Sequence, residues 1–127
     1  QREGRGFKSL CPLQNMSDLL KKKCVACDGN TPPFDKSEIH KYLKKVDGWD
    51  VKNDAENSFY LIKDFKFKNF LDSQLFVNKV GNLAEEENHH PDISFGWGYC
   101  KVKIFTHAIK GLAESDFILA AKIDNIS

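Results

Sequence analysis

Glu85-Glu86-Glu87-Asn88-His89-His90-Pro91-Asp92 is the stretch on which the reading of this chain turns. It marks a change of periodicity. Upstream, Phe70, Leu71, Leu75, Phe76, Val77, Val80, Leu83 and Ala84 recur as a wide apolar stripe, which predicts a helix of roughly four turns with Asn69 as its N-cap. Downstream, residues alternate. The stretch therefore ends a helix and begins a pair of strands. It also packs two imidazoles and several carboxylates into eight residues, and Pro91 biases His90 toward an extended backbone. Glu85 lies four residues before His89, on the same helical face if the helix runs that far. Glu86 and Glu87 read as a solvated helix end.

The alternation continues past it. Residues 92–96 suit a short strand, Gly96-Trp97-Gly98 a turn, and Tyr99–His107 a second strand. Cys100, Val102, Ile104 and Thr106 then face the core, while His107 sits at the strand end and points away from it. Before the long helix, residues 57–67 alternate in the same way, with Phe59, Leu61, Phe65 and Phe67 on one face. A shorter strand around Trp49–Lys52 pairs with them through a turn at Asn53-Asp54-Ala55-Glu56. Asp35-Lys36-Ser37-Glu38 resembles a capping box opening a helix that carries Ile39, Tyr42, Leu43 and Val46 and stops at Gly48. Asp116, Phe117, Leu119, Ala120, Ile123 and Ile126 suit a last helix after Gly111. The expected fold is α+β: a four-stranded antiparallel sheet with three helices packed on one face.

Length and composition narrow the function. The 127 residues suit one domain. A net charge of +1 does not favour a nucleic-acid-binding surface, and no apolar run approaches a membrane span. Residues 1–18, with Arg2, Gly4, Arg5 and Gly6, read as a disordered tail. Cys24 and Cys27 form a CxxC that suits a redox pair or half a zinc site. No second pair follows at finger spacing, so reduced thiols, as for Cys11 and Cys100, are the simpler reading.

The chemistry rests on His89, His90 and His107. An imidazole gives and takes protons near neutral pH, and a nearby carboxylate orients it. Glu85, Asp92 and Asp116 are the candidate carboxylates. Three histidines and a carboxylate would also suit zinc. Against that, adjacent histidines in an extended segment point to opposite sides, and the HExxH spacing is lacking. No GxSxG, GxxxxGK[ST] or GxGxxG occurs. Acid/base chemistry on a small planar substrate is left, with Trp49 or Trp97 available for stacking.

Glu85-x-x-x-His89-His90-Pro91-Asp92, Val102-x-Ile104-x-Thr106-His107 and Gly111-Leu112-x-x-x-Asp116-Phe117 together resemble the pterin-4a-carbinolamine dehydratase family. The resemblance spans residues 19–127. It implies a hydro-lyase that dehydrates 4a-hydroxytetrahydropterin to quinonoid dihydropterin in tetrahydrobiopterin recycling, with no metal or organic cofactor. It implies His89 and His107 as the acid/base pair and His90 as a positioning group. Glu85 would bind the pterin ring, Asp116 would orient the His107 side, and Trp49 would wall the pocket. It further implies a cytoplasmic protein, with a nuclear or organellar pool possible, that forms a homo-oligomer (dimer or tetramer). No direct nucleic-acid or membrane binding is implied. The alternative is a non-catalytic coactivator that binds a transcription factor through the long helix. One departure concerns Ala113, where many members carry a capping Ser or Thr.

Overall fold

The computed structural model describes residues 19–22, 32–55 and 58–127. The expected tail and the cysteines at 11, 24 and 27 lie outside the described residues.

Helix α1 spans Lys36–Leu43, and the Asp35 side chain accepts the Glu38 backbone N–H at 2.9 Å as its N-cap. Past it, Gly48 adopts φ +78°, a conformation that L side chains rarely take, and swings the chain into β1, Asp50–Asn53. Strand β2 is Phe59–Lys66, and Leu61 and Phe65 are its buried residues, as alternation requires. Helix α2 runs Phe70–Glu87, with Asn69 accepting from Asp72 N at 2.7 Å. Strands β3, Asp92–Gly96, and β4, Tyr99–Ile104, follow, then a 3₁₀ turn at His107–Ile109 and helix α3, Glu114–Ile126.

The sheet order is β1-β2-β4-β3, antiparallel throughout, with Leu61 opposite Ile104 and Ile93 opposite Val102. The three helices cover one face, giving the α+β architecture expected. Cys100, Val102 and Ile104 of β4 meet Phe76 and Val80 of α2 and Phe117, Leu119 and Ile123 of α3 in the core. Helix α3 is buried from Ser115 through Ala121, on every side, because it packs against both other helices and shares one core with the buried residues of the sheet. Among the described residues no helix is long and apolar enough to cross a membrane.

Three local expectations change. Strand β4 stops at Ile104 rather than running to His107. Thr106 bonds back to Gly111 (N–H to O, 2.9 Å), and Lys110 takes φ +51°, so the chain coils before it can extend. The stripe on α2 divides. Ser73, Phe76, Val80, Ala84 and Glu87 face inward, while Phe70, Leu71 and Leu75 are exposed. Glu87 is not a solvated helix end. It is 5% exposed, and Lys122 Nζ of α3 donates to its carboxylate at 2.7 Å; Glu86 is exposed as expected.

Candidate active site

The site forms where the end of α2, the end of β4 and the start of α3 meet. Helix α2 ends because Asn88 adopts the left-handed conformation (φ +54°, ψ +41°), which asparagine tolerates better than most residues. The His89 N–H then reaches back to the Ala84 carbonyl at 3.1 Å, the long closing bond of a Schellman turn. That reversal folds His89 toward α3. Pro91 then leads the chain into β3.

Asp116 is fully buried in the first turn of α3. One carboxylate oxygen, Oδ2, accepts from the Ala113 N–H and from the Thr106 hydroxyl, both at 2.8 Å. The other, Oδ1, lies 2.7 Å from His89 Nε2. An ionised carboxylate only accepts, so the contact has His89 presenting Nε2–H to it, with Nδ1 on the other side of the ring. The helix N-terminus also favours negative charge at this position. Ala113 provides no hydroxyl for a full capping box, yet its backbone supplies half of one, and Thr106 adds a bond that α3 itself does not provide.

His90 Nε2 lies 2.6 Å from Glu85 Oε2, both groups well exposed. The spacing that puts Glu85 near the motif thus pairs it with His90 rather than His89. His107 opens the 3₁₀ turn, exposed, with its ring centroid 4.2 Å from that of Phe105. Asp116 contacts His89, not His107, and reaches the latter only through the neighbouring Thr106.

Trp49 is not brought to this cluster. It is 4% exposed, packs edge-on against Phe65, and its indole N–H is shared between the two Asp124 oxygens at 3.1 Å. Asp124 lies two turns along α3 from Asp116, roughly 12 Å away at 1.5 Å per residue. Lys63 Nζ bonds Asp124 at 2.8 Å, yet burial dominates and pushes the Asp124 carboxyl above its ordinary range. Burial likewise raises the Cys100 thiol to about 11, which leaves it an inert core group. Among the described residues, no three His, Cys, Asp or Glu side chains are grouped to hold a metal ion.

Thr106 was missed as a site residue. Alternation placed it on the core face, and a hydroxyl there is the available signal, because a buried hydroxyl needs a partner.

The family profile for pterin 4 alpha carbinolamine dehydratase matches residues 32–126. The chain belongs to this family. A Rubrobacter xylanophilus protein provisionally named pterin-4-alpha-carbinolamine dehydratase is 47% identical over 111 residues, covering 87% of this chain and all of that one. A Rickettsia bellii protein with the same provisional name is 49% identical over 106 residues, 84% of this chain and 91% of the other. Among solved structures, a Brucella melitensis transcriptional coactivator/pterin dehydratase superposes with TM-score 0.67 at 29% identity, over 74% of this chain and 97% of that one. A pterin dehydratase-like protein identified as a RuBisCO assembly factor in the alpha-carboxysome gives 0.54 at 25% identity, over 62% and 88%.

Proposed function

We propose that this dehydratase-family chain converts a 4a-hydroxytetrahydropterin to the quinonoid dihydropterin by histidine acid/base catalysis, as in tetrahydrobiopterin recycling. The observation that carries this reading is the buried Asp116 carboxylate on His89 Nε2. It fixes the tautomer, leaves Nδ1 as a base, and stabilises the imidazolium formed when that base takes a proton. In the reaction the C4a–O bond breaks and the hydroxyl leaves as water after gaining a proton. A ring N–H loses its proton as the C=N bond forms. His89 takes that proton and His107 supplies the one that the hydroxyl needs. Glu85 and His90 bind and orient the pterin ring. The proton count balances, so no metal or organic cofactor is required.

The test is a stopped-flow dehydration assay with and without chelator. His89→Ala and His107→Ala are each expected to slow dehydration by at least about 10-fold, the low side of acid–base contributions. Chelator is expected to leave the rate unchanged. Near-wild-type rates in both variants would sink the reading.

The exposed Phe70, Leu71 and Leu75 on α2 support a homo-oligomer formed through that face. The same ridge supports the second reading, a non-catalytic partner protein, which the names of the two solved neighbours also suggest. Under that reading, ridge variants lose the partner and histidine variants do not.

A further inference from the structure

His89 and His90 each have a carboxylate to aim them, and His107 does not. Among the described residues no hydrogen bond or ion pair reaches its ring, and its side chain stands at an exposed turn. A free imidazole at such a position would sample several rotamers, and a proton-transfer group displaced by 1 Å can cost about 10²-fold in rate. Something other than a hydrogen bond must hold it.

The structure supplies a ring contact. Phe105 and His107 are two residues apart, and their rings meet at a 4.2 Å centroid distance and a 48° tilt. That is closer than most aromatic pairs. Lys103, two residues earlier and inside β4, places its ammonium 5.4 Å from the Phe105 centroid and 4.3 Å from that of Tyr60 on β2. Phe105 is half-buried and packs against the core at its base. Lys103, Phe105 and His107 thus form a row that starts in β4 and runs past its end at Ile104 into the 3₁₀ turn, with the imidazole as its last member.

We infer that Phe105 is the positioning residue of His107, holding the imidazole by a tilted ring contact where the other two histidines are held by carboxylates. The inference rests on the dehydratase reading, in which His107 is the proton donor. The contact is ring to ring, and among the described residues neither nitrogen of His107 has a hydrogen-bond partner. It restrains the ring without engaging either nitrogen, so both stay available for proton transfer.

The experiment compares Phe105→Leu, Phe105→Met and Phe105→Tyr with wild type and His107→Ala in the carbinolamine dehydration assay. Wild-type NMR of the His107 ring protons accompanies it. Phe105→Leu and Phe105→Met are expected to lose about 10-fold or more in kcat, with KM nearly unchanged, because misplacing the proton donor weakens the transition state rather than substrate binding. Phe105→Tyr keeps a ring and is expected to retain the wild-type kcat. The His107 ring protons are expected upfield in wild type and at ordinary positions in the Met variant. Wild-type kcat in Leu or Met, an equal loss in Tyr, or unshifted His107 protons in wild type would each overturn the inference. The last needs no variant to fold. Wild type without dehydration would overturn the dehydratase reading instead. An active wild type, a slow His107→Ala and a fully active Phe105→Leu would remove only the role of Phe105.

Discussion

Asp116→Asn is the sharpest perturbation available. The side chain is isosteric and fully buried, and its surroundings distinguish its two oxygens. Oδ2 takes two donors, Ala113 N–H and the Thr106 hydroxyl, and Oδ1 faces His89 Nε2 at 2.7 Å. An asparagine oxygen placed at Oδ2 keeps both of the first two bonds. Its amide nitrogen must then face His89, and an amide nitrogen only donates. The ring can keep that contact only by moving its own hydrogen to Nδ1. The lone pair that faces substrate is lost while the fold is kept. We expect stability to drop by about 1–2 kcal/mol, for a charged acceptor near a helix N-terminus replaced by a neutral one. Dehydration is expected to fall by about 10²–10⁴-fold, the full value of a positioned base. Asp116→Ala contrasts with this. It leaves two buried donors unpaired, at about 1–3 kcal/mol each, so its loss of rate is confounded with loss of fold. The measurements are stopped-flow dehydration, thermal melting, and ¹⁵N shifts of His89 to report the tautomer. A folded Asp116→Asn protein that keeps most of the wild-type rate, or whose His89 keeps the Nε2–H tautomer, refutes the reasoning.

Further outcomes follow from the packing. Glu87→Ala strands the Lys122 ammonium, which is 14% exposed, and is expected to cost about 3–5 kcal/mol in urea unfolding. Glu87→Met with Lys122→Leu is expected to recover most of it, because a buried ion pair replaced whole by apolar groups is often neutral. Leu71→Glu with Leu75→Glu changes two half-exposed ridge residues and is expected to shift the protein to monomer in sedimentation velocity without unfolding it. Asp124 has a folded carboxyl pKa raised above 3.8, by burial first, with Lys63 and Trp49 opposing. The native state therefore holds an extra proton between 3.8 and the raised value, and the contribution of Asp124 to stability falls as pH rises through that window. Asp124→Asn is expected to flatten this slope in pH-resolved thermal melts.

The elements of the fold were legible because their signals are local. Asn69 and Asp35 announce helix starts with their own side chains, and β2 and β4 declare their buried faces by alternation alone. Partners were not legible in the same way. Glu85 lies four residues from His89 and five from His90, and spacing favoured the first. The left-handed Asn88 turn decided for the second by folding His89 toward Asp116 of α3. Glu87 looked like Glu86, but helical phase puts it in line with Val80 and Ala84 against α3. Trp49 could have been wall or core, and only the register of β1 on β2 shows that it lies beside Lys63 and Asp124, far from the histidines.

These cases have a common physical cause. His89, Glu87 and Trp49 each make a contact with α3, the helix whose burial on all sides no amphipathic pattern could orient. A helix apolar around its whole circumference carries no sequence signal for which side meets which neighbour. Its polar residues, Asp116, Lys122 and Asp124, settle that question, since each buried charge must find its partner. Asp116 meets Thr106 and His89, Lys122 meets Glu87, and Asp124 meets Lys63 and Trp49. The same three residues fix the rotation of α3 and place the start of the helix at the histidines. The rotation of α3 that gives Lys122 and Asp124 their partners is the one that brings Asp116 to His89.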